Sequence, residues 1–317
     1  MASWWQPHRG SPAATAAIVT LVAAGAALVY ALLPPRPLRD RLQGPQPDEV
    51  TQIDNDIYEG ESGFWDDAED APLRLVNAAR IPYFASIWER EVQPVQGEER
   101  RYLDVGCGGG VATEELAKLS FIDHIVGLDP AKGAIRHAQQ RVKQLNLNGK
   151  LSYVTGSAFS LPFPSNHFNG VVSSDVIEHL EDVSAALAEV YRVLKPGGIF
   201  VFDTINRTAY SWLTTILLAQ RLLRYIPEDA HDWRLYVTPQ EMRHGLEKAG
   251  FEVGDERSEW SGMGPSLYAP HRVLRRLLAE KKGRASLFGP WGQSRWNKQA
   301  SYLGWARKPL EKADKPE

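Results

Sequence analysis

The sequence predicts an α/β fold, with a Rossmann-like, doubly wound parallel sheet and flanking helices. Three observations carry this prediction. Short apolar runs of strand length alternate with longer amphipathic runs of helical length between residues 101 and 203. A glycine-rich loop follows the first apolar run, and an acidic residue ends the second. This order is typical of βαβ units, because parallel strands need a crossover connection that is usually a helix.

The elements are assigned in chain order from these patterns. An apolar helical pattern predicts an entry helix at 73–91. Apolar runs bounded by turn residues predict strands at 101–105, 124–128, 151–154, 169–173 and 198–203. Between them, amphipathic stretches predict helices at 111–119, 131–145 and 182–194. A last antiparallel strand is expected at 300–306.

The segment Lys195–Gly198 separates the last of these helices from the strand at 198–203. Proline and glycine both stop helices, since proline lacks the amide donor and glycine adopts the conformation that ends a helix. We therefore interpret this segment as a structural turn that needs no ligand to explain it.

The glycine-rich loop predicts a site for S-adenosylmethionine (SAM). Gly106 and Gly108 permit a tight turn and let the backbone approach a ligand, and a helix opens near Val111. Asp104 precedes the loop and suits a cation, so it would help to hold the amino-acid part of SAM, which carries an ammonium and a sulfonium but no phosphate. Asp129 ends the next strand and would accept hydrogen bonds from ribose hydroxyls.

Two other readings of this loop remain open. A dinucleotide site is disfavoured because its fingerprint has glycine where this chain has Val111, and because Asp104 would repel a pyrophosphate. A glycine-rich turn without any ligand is the other alternative.

Composition excludes several classes of function. The 317 residues are 43% hydrophobic with a net charge of -3, so the chain can form a large core and has no general attraction for nucleic acid. Cys107 is the single cysteine, which excludes an internal disulfide and any cysteine-based zinc cluster. The oligomeric state is left open.

The amino-terminal region predicts a membrane anchor. After a short segment at 1–12, residues 13–33 carry no charge and are long enough to cross a bilayer as a helix. Arginines are more frequent after this segment than before it, so the positive-inside rule places the large domain on the cytoplasmic side, or in the mitochondrial matrix if the protein is eukaryotic. A cleaved signal peptide is the competing interpretation. A proline-rich linker follows at 34–50.

Several motifs together resemble the ubiquinone-biosynthesis O-methyltransferases, which are class I SAM-dependent methyltransferases. They are the loop around Asp104, the block Asp175–Leu180, the Lys-Pro-Gly-Gly turn, and Thr204–Arg207 followed by Ser211–Leu213. The resemblance covers about residues 54–251. It implies methylation of catechol-type hydroxyls on polyprenylated rings, which in some members of the family is assisted by a divalent metal such as Mg²⁺.

The resemblance also implies roles for individual residues. The positions that contact SAM in the family fall on Arg80, Gly106, Asp129 and Ser174. The metal positions fall on Asp175, Glu178 and His179, although Asp175 replaces the usual glutamate. His179 would be the catalytic base or a metal ligand, with Glu178 beside it. The alternative is that Glu178 and His179 only cap and pack a helix.

The remaining segments extend this domain, which we place at 51–260. An insertion at 207–233 is rich in apolar residues and arginine, so it predicts either a helix against a bilayer or a lid over the active site. Residues 261–307 form an extension expected to complete the sheet, and residues 308–317 a disordered tail.

These observations predict a membrane-anchored SAM-dependent O-methyltransferase with a lipophilic, polyprenylated catechol or quinol as acceptor. Three alternatives stay open: a natural-product N- or C-methyltransferase, a non-catalytic SAM-binding membrane protein, and an NAD-dependent dehydrogenase. An anchor that merely localises an enzyme with a soluble substrate is also possible.

Overall fold

The computed structural model describes residues 72–93, 95–147, 149–222, 230–254, 259–265, 291–294 and 297–310. The expected anchor at 13–33, the linker at 34–50 and most of the tail lie outside these residues. Within the described ranges, no helix combines the length and the apolar character that crossing a bilayer requires.

The described elements follow the expected alternation. The helices are α1 (Pro72–Glu91), α2 (Val111–Ala117), α3 (Lys132–Gln144), α4 (Val183–Val193), α5 (Ala209–Ser211), which continues as a π-helix (Trp212–Leu222), and α6 (Pro239–Lys248). Single 3₁₀ turns lie at Ile177–His179 and Trp233–Leu235. The strands are β1 (Arg101–Val105), β2 (His124–Asp129), β3 (Leu151–Thr155), β4 (Phe168–Ser174), β5 (Leu194–Ile205), β6 (Glu252–Val253), β7 (Ser261–Pro265), β8 (Trp291–Ser294) and β9 (Ser301–Arg307).

The strands form one sheet in the order β3-β2-β1-β4-β5-β9-β7-β8, with β6 also paired to β9. Strands β1 to β5 are mutually parallel, whereas β9 runs antiparallel to β5. The strand order reverses direction between β1 and β4, which is the point where α/β sheets open a crevice for ligands. The predicted α/β Rossmann-like sheet is therefore confirmed.

The start of β5 differs from the prediction. The strand begins at Leu194, so the Lys-Pro-Gly-Gly segment lies within it and not in a turn before it. Leu194 pairs with Phe168 and Ile199 with Gly170, so the intervening residues of β5 bulge out of the ladder. Two backbone hydrogen bonds to Lys308 close this bulge on its other side. The extra residues are tolerated because these bonds satisfy the backbone groups that the ladder leaves unpaired.

The core lies on both faces of the central strands. Every residue of β4 is buried, as expected for a parallel strand covered by helices on both sides. On one face, Trp88 of α1 packs on Tyr102 of β1 with ring centroids 4.7 Å apart. Near the antiparallel edge, Trp260 stacks on Tyr302 of β9. This packing holds the carboxyl ends of β1, β2, β4 and β5 at one edge of the sheet.

An ion pair between α2 and α3 provides a test of this packing. Both oxygens of buried Glu114 accept hydrogen bonds from Arg141, at 2.6 and 2.8 Å. Removal of one partner leaves a buried charge uncompensated, so we expect Glu114→Ala to lower the free energy of unfolding by about 3–5 kcal/mol. The neighbouring Glu115 pairs at the surface with Lys118, and Glu115→Ala should lower it by about 0–1 kcal/mol. Urea unfolding measures both, and equal losses would contradict the assignment.

Candidate active site

The candidate site lies where the strand order reverses, at the carboxyl ends of β1, β2, β4 and β5. The glycine-rich loop follows β1, Asp129 ends β2 and Ser174 ends β4. Parallel strands bring all of these ends to one edge, so residues distant in the sequence meet in one crevice.

The loop after β1 has a backbone that requires glycine. Gly106 has a φ of 79°, and a Cβ there would lie 2.3 Å from Val176. Gly110 has a φ of 86°, and a Cβ would lie 2.2 Å from the hydroxyl of Tyr153. The amide of Gly106 also donates to the carbonyl of Leu128 at 2.7 Å, which ties the loop to β2. A side chain at either position would displace the loop from the crevice.

Asp129 joins this loop to the next strand. One carboxylate oxygen accepts from the amide of Gly108 at 2.8 Å, and the other from the amide of Ala131 at 2.9 Å. These two hydrogen bonds tie the glycine-rich loop to the residues that follow β2. Gly108 therefore acts in the site through its amide, and the contact of Asp129 with ribose stays a prediction.

Asp104 is a buried acid at the floor of the crevice. It is 1% exposed and accepts a hydrogen bond from the hydroxyl of Thr113 at 2.7 Å. Burial raises the pKa of Asp104 to about 6, and Thr113 and Arg80 partly oppose the rise. Asp104 is therefore mainly ionised at neutral pH, and its charge is available to a cationic group.

Arg80 connects α1 to the ends of β4 and β5. Its Nε donates to the side-chain oxygen of Asn77 at 2.7 Å. Its Nη1 pairs with Asp175 and lies 3.5 Å from Asp203. Ser174, which is opposite Asp203 in the sheet, donates its hydroxyl hydrogen to that carboxyl at 2.5 Å. The guanidinium is thus shared between two acids on neighbouring strands.

The two acids differ in their proton affinity. Burial alone would raise the pKa of Asp175, but Arg80 outweighs it and holds this pKa below the usual range. Burial and the charge of Asp175 raise the pKa of Asp203 to about 8, despite Arg80. Asp203 therefore carries the proton at neutral pH and Asp175 the charge. Sequence reasoning missed Asp203, although an acid within the apolar run of β5 was a signal for it.

The side chains expected to bind metal have other partners in the structure. The carboxylate of Asp175 is held by Arg80, and Glu178 is fully buried and accepts from the hydroxyl of Thr204 on β5 at 2.9 Å. Burial, together with the charge of Asp175, raises the pKa of Glu178 well above its usual range. Among the residues that the structure describes, no group of three or more His, Cys, Asp or Glu side chains could hold a metal ion. The expected set of Asp175, Glu178 and His179 is therefore corrected: these residues do not fit a metal site.

His179 meets a second histidine that sequence reasoning did not assign to the site. It lies in the 3₁₀ turn after β4, and His231 comes from the insertion. The two imidazole centroids are 4.9 Å apart, with 38° between the ring planes. Burial lowers the pKa of His231 to about 4, although the charge of Asp175 opposes the shift. The ring of His231 is therefore neutral at physiological pH.

The described part of the insertion has both buried and exposed apolar residues. Trp212, Ile216, Trp233 and Tyr236 form a small buried cluster. Tyr210 and Leu213 are about two-fifths exposed, at 38% and 43%, and Leu222 is 70% exposed. The helical segment 209–222 therefore contributes to a buried cluster and also presents an exposed apolar surface.

Comparison with known proteins gives the same fold and names a family. A family model described as a methyltransferase domain matches residues 103–202. The ubiquinone biosynthesis O-methyltransferase of Azorhizobium caulinodans is 33% identical over 208 residues, which are 63% of this chain and 78% of that protein. The protein of the same name from Dinoroseobacter shibae is 34% identical over 191 residues, 59% of this chain and 75% of that protein.

A solved structure supports the fold alone. The YcgJ protein from Bacillus subtilis superposes with a TM-score of 0.50 at 17% identity, over 72% of this chain and 99% of that protein.

The charge of Asp104 predicts how cofactor binding depends on pH. S-adenosylhomocysteine carries an ammonium, and its attraction to Asp104 is lost when that acid becomes protonated below its pKa of about 6. We expect affinity, measured by calorimetric titration, to fall up to about tenfold per pH unit below 6. Asp104→Asn should bind more weakly at pH 7.5 and lack this fall, whereas Asp123→Asn, which changes an exposed acid, should keep it. A fall of the same size in Asp104→Asn would contradict this role.

Proposed function

Because this chain belongs to the ubiquinone-biosynthesis O-methyltransferase family of class I SAM-dependent methyltransferases, we propose that it methylates a hydroxyl oxygen of a lipophilic catechol or quinol. The chain is a SAM-dependent methyltransferase, and the proposal concerns its acceptor. The observation that carries the proposal is the position of His179, directly after the strand that ends at Ser174 in the crevice.

The residues of the crevice have distinct tasks in SAM binding. Asp104 places negative charge where the ammonium of the cofactor would lie, and Asp129 offers acceptors to the ribose. Arg80 acts through Asp175 and through Asp203, which accepts the hydrogen bond of Ser174, because these contacts hold the two strands that border the cofactor site. The backbone of Gly106 and Gly108 allows the cofactor to approach closely.

The chemistry requires a base for the acceptor hydroxyl. When bound, SAM supplies a methyl group, and transfer forms a carbon–oxygen bond as the carbon–sulfur bond breaks, leaving S-adenosylhomocysteine and a proton. A phenol with a pKa of about 10 is ionised to roughly one part in a thousand at pH 7, so removal of its proton lowers the barrier by about 4 kcal/mol. His179 accepts this proton in the proposal, because histidine is the side chain that most often acts as a general base and this one lies in the turn directly after β4.

The acceptor is proposed to be lipophilic, with the protein working at a membrane. The support is the exposed apolar face of the insertion, formed by Tyr210, Leu213 and Leu222, and the uncharged segment at 13–33. That segment is proposed as a single-pass anchor, with the catalytic domain on the cytoplasmic or matrix side. A lipid tail would then enter along the insertion while the ring reaches His179.

Replacement of the proposed base tests the reaction. His179→Ala should lower kcat/KM for O-methylation of catechol about 10²–10⁴-fold, since general-base catalysis contributes that much, and should leave the affinity for S-adenosylhomocysteine unchanged. His244→Ala, which changes an exposed histidine of α6, should have normal activity. Transfer of an isotopically labelled methyl group, followed by nuclear magnetic resonance, identifies the atom that is methylated. A labelled nitrogen or carbon would favour the alternative methyltransferase classes.

The exposed face of the insertion predicts dependence on a lipid surface. Burying a leucine side chain contributes about 1.5–3 kcal/mol of favourable free energy. The double variant Leu213→Glu with Leu222→Glu should therefore lose about tenfold or more in activity on a short-chain prenylated catechol in phosphatidylglycerol vesicles. Activity on soluble catechol should be unchanged. Leu310→Glu is the matched control, because Leu310 is 72% exposed outside the insertion. A similar loss on both substrates would show that the leucines act only on folding.

A further inference from the structure

The acids at the end of β4 are arranged around a cation that belongs to the chain itself. Arg80 is 3% exposed, and its Nη1 pairs with Asp175 and lies 3.5 Å from Asp203. Its Nε donates to the side-chain oxygen of Asn77 at 2.7 Å, and the amide group of Asn77 donates to the carbonyl of Val111 at 3.1 Å. The guanidinium is therefore held in a fixed place by residues of α1, of β5 and of the turn after β4.

This cation lies at a carboxylate that a metal ion would need. The family resemblance puts metal ligands at the positions of Asp175, Glu178 and His179. A divalent cation brought to the carboxylate of Asp175 would be repelled by the guanidinium of Arg80, which is already paired with it. Asp175 is also one methylene shorter than the glutamate that is usual in the family, so its carboxylate reaches less far from the backbone.

The second of the three positions is enclosed by the protein. Glu178 is 0% exposed, and one of its carboxylate oxygens accepts from the hydroxyl of Thr204 at 2.9 Å. Thr204 is itself 0% exposed. Mg²⁺ dehydrates reluctantly and is usually bound in proteins with several of its waters retained. A carboxylate without exposed surface does not suit such an ion.

The turn that carries His179 starts at the same ion pair. Asp175 has a φ of 54°, and the amide of His179 closes the turn by donating to the carbonyl of Val176 at 2.8 Å. Arg80 pairs with the side chain of the residue at which the chain reverses, so it fixes the place where this turn begins. Orientation of the reacting groups is one task that a metal ion performs in catalysis, and polarisation of a substrate oxygen is another.

We propose that Arg80 replaces a divalent cation in this cluster, so that the chain methylates its acceptor without a metal ion. The inference rests on the proposed function and departs from what the family resemblance implies. Arg80 is a positioning residue in this reaction, because it acts through Asp175 and orients the turn with His179. The methyl group passes from the sulfur of SAM to the acceptor oxygen, and the proton of that hydroxyl goes to His179.

Activity and metal binding are measured on the full chain after a chelator has removed its metal ions. The rate of methyl transfer to catechol with added Mg²⁺, Mn²⁺ or Zn²⁺ should be close to the rate in excess chelator. Calorimetric titration with Mn²⁺ of the chain saturated with S-adenosylhomocysteine should show no binding that Asp175→Asn abolishes. A rate about tenfold or more higher with metal overturns the inference, and so does Mn²⁺ binding that is lost in Asp175→Asn.

Replacement of Arg80 provides the converse test. Arg80→Met removes the guanidinium from the carboxylate of Asp175, so this variant should bind Mn²⁺ at least about tenfold more tightly than the wild type. The gain should disappear in the double variant Arg80→Met with Asp175→Asn. Arg90→Met is the matched control, because Arg90 is an exposed arginine of the same helix, and it should bind Mn²⁺ no better than the wild type. If Arg80→Met does not unfold cooperatively in urea, the neutral variant Arg80→Gln takes its place.

The outcomes separate the inference from the proposed function. A wild type that methylates the oxygen of catechol only with added metal supports the proposed function and overturns the inference. A folded Arg80 variant that binds Mn²⁺ no better than the wild type overturns the role given to Arg80. A wild type that methylates no hydroxyl oxygen overturns the proposed function, and the Mn²⁺ titrations then decide whether Arg80 holds the place of the cation.

Discussion

The arrangement of residues in the crevice depends on one guanidinium group that is shared between two acids. Arg80 is buried near the middle of α1, and a buried cation is stable only when it is paired. It finds Asp175 after β4 and Asp203 on β5, so one charge joins a helix to two neighbouring strands. Asp175 has a φ of 54°, a conformation that aspartate tolerates better than most residues. The chain reverses there, and the reversal brings the turn with His179 to the edge of the sheet.

The two halves of the crevice carry different sets of side chains. The half formed by β1 and β2 carries Asp104 and Asp129, and these acids suit a ligand with an ammonium and ribose hydroxyls. The other half carries the imidazoles of His179 and His231 beside the ion pair of Arg80 with Asp175. This side suits an aromatic acceptor whose hydroxyl group must lose its proton in a site that excludes water. One sheet edge thus presents two chemically different sets of groups.

The sequence predicted those features that depend on local patterns. The parallel strands were identified because buried strands are continuous apolar runs, and the glycine loop because its backbone needs residues without a Cβ. The start of β5 was misplaced, since hydrogen bonds to distant Lys308 draw the Lys-Pro-Gly-Gly segment into the strand. Asp203 and His231 were missed because their contacts are with residues distant in the sequence. Those of Asp203 join separate elements of the fold, and that of His231 joins the insertion to the turn after β4. The metal set was expected from the resemblance to the family, but matching motif positions do not show that Asp175 is paired with Arg80.

The antiparallel pairing of β5 with β9 has a consequence for biosynthesis. Strand β5 obtains its outer neighbour at residues 301–307, so residues 206–300 must leave the ribosome before the sheet can close. At about 5–20 residues per second, this takes roughly 5–20 s. Throughout that interval the apolar edge of β5 is available to other strands, including those of neighbouring nascent chains. A chaperone is therefore most needed in the interval between the synthesis of β5 and the synthesis of β9.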